Sequence, residues 1–449
     1  DQAESLCDAY LRAHPHNYRI WTLEGITFSM EGDTAKALHA FHRALLLSPR
    51  YPVALRGAAQ LLFAAGSPDA IPILKTILNS DGTDQTAREM LALIQAKTGD
   101  CTAATANFQR LGAAIQTHLT SLEKYGFCLA QLKRYQEAIP VFVELTKLQP
   151  GLSYLRYDLA VVQVLDSRDR EAVRTLQPLL DSQHTDAGTL TLASNAYEAI
   201  GDTPRAVSLL RRAIVMDPAR GENYVRFADL CLIHKSYQAG IEMINAGLER
   251  VPNDPSLYIS RAMLYSQLAE YGKAEADLQA AEELDPKHGI GPYGLALVQL
   301  QASHPNEALA TVKAELKSRP HEPLLQYLLA RLLMDQGASP GSSAFTKAMS
   351  AASLAVQLQP DFLPARDLLA RIYIRSGETK LAIRQCRAAL KINPSDRTAL
   401  YHLLVASRAD HDEPAVQRLA NQLSRIDRLT REKNLHRAHY RLKLTESER

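Results

Sequence analysis

Small residues recur along this chain at two fixed places in a repeating block, with larger apolar residues around them. One column runs Gly25, Ala59, Ala92, Gly126, Ala160, Ser194, Ala228, Ala262, Ala296, Ala330 and Ala370. The other runs Ala37, Ala70, Ala104, Ala138, Ala172, Ala206, Gly240, Ala274, Ala308, Ala348 and Ala382. Large side chains at both places would hold two helices apart, whereas small ones let the backbones approach in an antiparallel pair. The pattern predicts a succession of helix pairs. A twelfth block breaks both columns with Leu404 and Val416, as expected of a terminal repeat with no following neighbour.

The prolines measure the period independently. From Pro150, steps of 34 land on His184, Pro218, Pro252, Pro286 and Pro320, and the same step separates Pro15 from Pro49 and Pro360 from Pro394. Pro49 to Pro150 is three periods less one residue, and Pro320 to Pro360 is one period plus six. A period that survives a deletion and an insertion marks a repeat architecture. Local chemistry sets the boundaries. Gly32-Asp33, Gly99-Asp100 and Gly201-Asp202 place Gly where a first helix ends and Asp where the next begins. Pro204 suits a first turn, and Pro218, Pro286, Pro360 and Pro394 close second helices by removing an amide donor.

This reading divides the chain into three parts. Residues 1–17 are expected to be the second helix of a truncated repeat, with Ala3, Cys7 and Tyr10 in its slots, so that the chain continues upstream of Asp1. Residues 18–430 hold twelve full repeats, with a six-residue insertion at 338–343 expected to form a surface excursion between two helices. Residues 431–449 are expected to form a basic amphipathic helix, with Leu435, Ala438 and Leu442 on one face, capping the open end of the stack.

Composition narrows the function classes. Hydrophobic residues make up 46% and aromatics 6%, with one Trp, which is helix-forming material poor in strand formers. A net charge of +2, from 51 basic and 49 acidic residues, argues against a dominant polyanion-binding surface and against disorder. No apolar run is long enough to span a bilayer. The five cysteines form no close pair, so they read as buried small hydrophobes without a disulfide. Cys101 and Cys128, in adjacent repeats, are the pair to check, and they are expected to stand apart.

The clearest repeat reads Trp21-x-x-x-Gly25-x-x-Phe28, then Gly32-Asp33, Ala37-x-x-x-Phe41, Ala44 and Pro49. It resembles the tetratricopeptide repeat, with Glu24 departing from the usual Leu. The resemblance covers about 430 residues. It implies an all-α fold: an α-solenoid, a right-handed superhelix of about twelve helix-turn-helix units whose inner groove, lined by first helices, holds extended peptides or partner segments.

Chemical motifs are few. Gly289-Ile290-Gly291-Pro292-Tyr293-Gly294 is literally a GxGxxG, but it follows a helix rather than a strand, so no cofactor is expected there. His14 with His16, and His436 with His439, lack a third ligand, so no metal is expected either. No HExxH, Walker loop or GxSxG occurs. The net +4 of residues 425–449 fits a solubilising cap better than a nucleic-acid or membrane site.

Partner chemistry is sought on the first-helix positions that point away from the second helix. There the C-terminal third gathers Tyr293, Tyr327 and Tyr401 with Arg331, Arg371, Arg375, His402 and Arg408. Tyr supplies apolar area and a hydroxyl, and Arg a planar fork for carboxylates. The bland alternative is a solvated face whose arginines pair with Asp335 and Asp367. Neither the Lys–Asn, Asn, Lys–Arg carboxylate clamp of chaperone-binding relatives nor the Asn ladder of glycosyltransferase-type relatives is present. The expectation is a non-catalytic interaction scaffold for a protein or peptide, with an acidic segment favoured. The rival is a substrate-recruiting module of an enzyme whose catalytic domain lies upstream.

Overall fold

The computed structural model describes residues 10–183, 185–286 and 290–437. Every regular element among them is helical. The chain divides into two bodies between Thr185 and Asp186. The N-terminal body holds α1 (Tyr18–Glu31), α2 (Thr34–Leu47), α3 (Pro52–Ala64), α4 (Ala70–Ser80), α5 (Gln85–Lys97), α6 (Cys101–Leu111), α7 (Leu119–Gln131), α8 (Tyr135–Leu148), α9 (Ser153–Leu165) and α10 (Asp169–Leu180). A 3-10 turn, Gly112–Thr117, joins α6 to α7. In the C-terminal body follow α11 (Ala187–Ala199), α12 (Thr203–Met216), α13 (Gly221–Ile233), α14 (Tyr237–Arg250), α15 (Pro255–Gln267), α16 (Tyr271–Leu284) and α17 (Ile290–Gln301). It is completed by α18 (Pro305–Ser318), α19 (Pro323–Asp335), α20 (Ser343–Leu358), α21 (Leu363–Ser376), α22 (Thr379–Ile392), α23 (Arg397–Ala409) and α24 (Glu413–Arg437).

Odd-numbered helices are the first helices of repeats and even-numbered ones the second. Each first helix packs on its own second helix, giving an all-α solenoid arrangement of helix pairs in each body. In the C-terminal body α13, α15, α17, α19, α21 and α23 also pack each on the next, forming an unbroken row of first helices.

Both small-residue columns lie in the core. From Ala37 to Ala382, every Ala of the second-helix column is 0% exposed. The glycines show why nothing larger fits. A Cβ at Gly25 would come within 2.8 Å of the Phe41 ring, and one at Gly240 within 2.9 Å of Cys231 and Leu264. Leu404 and Val416, which break the columns, are buried all the same.

The turn between paired helices has one geometry throughout. Gly32, Gly66, Gly99, Gly201, Gly337 and Gly377 take positive φ, and so do Lys133, Ser167, Lys235, Ala269, Ser303 and His411 at the same repeat position. The left-handed conformation costs a residue with a Cβ about 1–2 kcal/mol, so stacking overrides local preference in those six repeats. Beside this turn the expected caps form. The carboxylates of Asp33 and Asp100 each accept from a backbone amide, Lys36 and Ala103 respectively, at 3.0 Å.

The cysteine expectation is overturned. Cys101 and Cys128 form a disulfide, with Cα atoms 4.9 Å apart. Cys101 opens α6 and Cys128 lies toward the end of α7. These consecutive helices run antiparallel, so 27 residues of chain go out and return to the same level. Cys231 and Cys386 are free and buried, and burial pushes each thiol up to about 12. Cys7 lies outside the described residues.

The stretch from Gly337 to Ser342 joins α19 to α20 without a further helix, and the Ser342 hydroxyl accepts from the Phe345 amide at 3.1 Å. Near the C-terminus α24 is one continuous helix of 25 residues, tied to α23 by Arg397 Nε and Asp427 Oδ1 at 2.6 Å. Of the expected capping face, Ala438 and Leu442 lie outside the described residues, as does Ala3 of the N-terminal segment.

Candidate partner-binding site

Four neighbouring first helices carry the residues singled out from the sequence. Tyr293 stands on α17, Tyr327 and Arg331 on α19, Arg371 and Arg375 on α21, and Tyr401, His402 and Arg408 on α23. One carboxylate draws the central ones together. Asp335, the last residue of α19, lies 3.5 Å from Arg331 Nε through Oδ2 and 3.5 Å from Arg371 Nη2 through Oδ1. Both contacts are long and side-chain exposure is about 40% at each end, so each is worth at most about 1 kcal/mol.

Aromatic groups stand on the same row of helices. The Tyr327 ring meets Phe362 edge-on at 5.2 Å, and Tyr401, 55% exposed, stands 5.9 Å from the His402 ring. Burial raises the Tyr293 hydroxyl above its ordinary pKa, the nearby Tyr327 adds to this, and Arg331 opposes it. Tyr293, Tyr327 and Arg331 thus share one neighbourhood. Arg375 and Arg408 are exposed on the same helices, and among the described residues neither hydrogen-bonds nor ion-pairs with this group.

Three buried polar atoms here have no hydrogen-bond partner: Arg371 Nε, His402 Nδ1 and Asp367 Oδ1. Such atoms are rare in folded proteins because each forfeits its hydration. Their surroundings perturb the titrating groups. Burial, and then the charge of Asp396, pushes Asp367 up to about 7. Burial, and then Arg371, lowers His402. Asp335 is the carboxylate that both Arg331 and Arg371 reach, at 3.5 Å each.

An apolar cleft between α15 and α17 adjoins this group and was not singled out from the sequence. Ile259, Met263, Tyr293 and Leu297 line it with Leu278 and Val298, enclosing about 330 Å³. Met263 is 50% exposed at its mouth. Gly294 lets α17 sit close over α16, since a Cβ there would come within 2.6 Å of Leu278. The legible signal was Ile259, Met263 and Leu297 together in the outward columns of two successive repeats. Tyr293 belongs to both the cleft and the Arg331 neighbourhood. The arrangement can therefore take an apolar side chain at one end and a carboxylate at the other.

Comparison with known proteins accounts for the repeats. Residues 9–122 match the family described as the cytochrome c-type biogenesis protein H TPR domain. Residues 189–222, 255–288, 293–361 and 363–396 match tetratricopeptide repeat families. The chain belongs to the tetratricopeptide repeat family. Repeats of this kind support a protein-interaction scaffold role.

Superkiller protein 3 of Schizosaccharomyces pombe is 23% identical to this repeat protein over 340 residues, 72% of this chain and 23% of that one. The probable biofilm formation methyltransferase WspC of Pseudomonas putida is 38% identical over 66 residues, 15% of this chain and 16% of its own. The matched regions thus span under a quarter of either relative's length. The crystal structure of yeast Tom70 superimposes with a TM-score of 0.52 at 16% identity, covering 93% of this chain and 94% of that one, a likeness of fold.

Proposed function

We propose that this tetratricopeptide repeat chain is a non-catalytic scaffold that holds an extended peptide or protein segment against the first helices α15 to α23. A bulky apolar side chain of the segment sits in the Ile259–Met263–Leu297 cleft, and a carboxylate lies on Arg331 and Arg371. The observation that carries this reading is the pair of unpartnered buried atoms, Arg371 Nε and His402 Nδ1, with the Arg371 guanidinium reaching Asp335 through one contact at 3.5 Å. A carboxylate would satisfy the Arg371 donor with a charge-assisted hydrogen bond, and the His402 ring in its Nδ1–H tautomer could give a second. Tyr327 and Tyr401 add apolar area around that anchor.

Fluorescence anisotropy with labelled short peptides tests this, using Phe or Leu beside Asp-Glu against the same peptides with Asn-Gln. Replacing Arg331 and Arg371 together by Ala should weaken the acidic peptides by at least about 2 kcal/mol with the helical circular dichroism unchanged. Arg56→Ala, on α3 and paired with Asp84 at 3.1 Å, should leave binding nearly untouched. Equal binding of the Asn-Gln peptides would dismiss the carboxylate anchor.

A further inference from the structure

The N-terminal body has an apolar cleft of its own on its first helices, with the opposite charge at its rim. It lies between α7 and α9, encloses about 330 Å³, and is walled by Phe127, Ala130, Phe142, Val161 and Val162. Phe127 is 49% and Tyr154 48% exposed, so two rings border it that the fold leaves half uncovered. Glu123, Asp158 and Lys124 complete the rim. The Tyr154 hydroxyl donates to Glu123 Oε1 at 2.6 Å, bridging the two helices across it.

The charges choose the occupant. Asp158 is half-buried, and its pKa is raised by burial first and by the Glu123 charge second. Among the described residues no cation pairs with either carboxylate; Lys124, on the same rim, is exposed and forms no ion pair with them. Two carboxylates side by side against apolar walls repel one another, and a cation placed between them relieves both. The rings favour the same visitor, since a guanidinium stacks on an aromatic face while its fork reaches a carboxylate. Cys128, next to Phe127, is bridged to Cys101 and ties α7 to α6, so the helix bearing the ring is already fixed.

We infer that the α7–α9 cleft docks an arginine side chain of a basic, partly apolar peptide segment, its guanidinium between Glu123 and Asp158 and its stem against Phe127 and Val161. This surface is separate from the one proposed on α15 to α23 and takes a partner of opposite charge. The neutral isostere citrulline gives the discriminating probe.

The test is anisotropy of labelled short peptides in which two arginines flank leucine, against the same peptides with citrulline or with lysine. The arginine peptide should bind at least tenfold more tightly than the citrulline one, with the lysine peptide between them. Glu123→Gln with Asp158→Asn should remove that preference. Lys124→Ala should tighten the arginine peptide, a gain that misfolding cannot imitate. Arg331→Ala with Arg371→Ala should leave this binding unchanged even if it abolishes the acidic peptides, so the two readings stand or fall apart. Equal binding of arginine and citrulline peptides, or an unaltered preference in the Glu123/Asp158 variant, would overturn the assignment.

Discussion

The first-helix faces of the two bodies share one repeat frame and differ in the charge they carry. In the N-terminal body the outward positions bring Glu123 and Asp158 beside Phe127; in the C-terminal body they carry Arg331 and Arg371 on the same row of helices as Tyr293, Tyr327 and Tyr401. Beneath both faces lie the same Ala columns and the same left-handed turns. The backbone is thus fixed by residues pointing between the helices, which frees those pointing outward to carry either sign. A net charge of +2 hides this, because it averages over faces that a ligand would meet one at a time.

The disulfide is the sharpest difference between the bodies, and removing it should have the largest effect. Cys101→Ser with Cys128→Ser opens a loop of 27 residues, and the chain-entropy relation puts the loss at about 3–4 kcal/mol. Urea unfolding should show the N-terminal body moving to lower denaturant while the C-terminal one stays put. A common shift of both would show that they do not unfold independently. Next comes the shared frame. Ala138→Leu in one body and Ala274→Leu in the other should each cost about 1–3 kcal/mol by overpacking a fully buried slot. A urea midpoint equal to the parent's at either site would break the claim that both bodies are built alike.

The basic face should also carry a pH signature. Asp367, raised from 3.8 to about 7, holds its proton longer folded than unfolded. Its contribution is therefore fully present below about pH 4 and is lost as pH climbs to 7. Discounted for partial exposure, the loss is about 1–2 kcal/mol. Asp367→Asn should raise the melting temperature at pH 8 and hardly at pH 4; a gain of equal size at both would mean that the carboxyl is not the cause. The smallest effect belongs to the turns. Ala269→Gly or Ser303→Gly removes the left-handed penalty at some entropic cost, so stabilisation should reach at most about 1 kcal/mol in thermal melts.

Much of the fold was legible because its rules are local or periodic. Asp33 and Asp100 announce helix starts by capping them, and the Ala columns announce burial by recurring. The left-handed turns at Lys133, Ser167, Lys235, Ala269, Ser303 and His411 were not legible, since nothing in those side chains asks for positive φ. It is imposed by the stacking of the helices on either side. The Cys101–Cys128 bridge escaped for a related reason: helix membership was read correctly, but the level at which each cysteine sits depends on how far α6 and α7 run before and after the turn. At the candidate site, the alternative of arginines paired with Asp335 and Asp367 was half right: Arg331 and Arg371 both reach Asp335, whereas among the described residues neither ion-pairs with Asp367. Columns give the face a residue occupies, whereas a bridge depends on where the end of one helix falls against the middle of another.

Asp335 also sets the terms on which the basic face could be occupied. Tethered within reach of both guanidinium groups, it is a resident carboxylate at an effective concentration on the order of millimolar or higher. An incoming acidic group would have to displace it, and would gain only the difference between its own contacts and two contacts at 3.5 Å. Free acetate or a lone aspartate would lose that exchange, having nothing else to offer. A segment that also fills the Met263 cleft could win it. Selectivity would then come from a competitor built into the chain, which turns away small anions while leaving the arginines charged and in place.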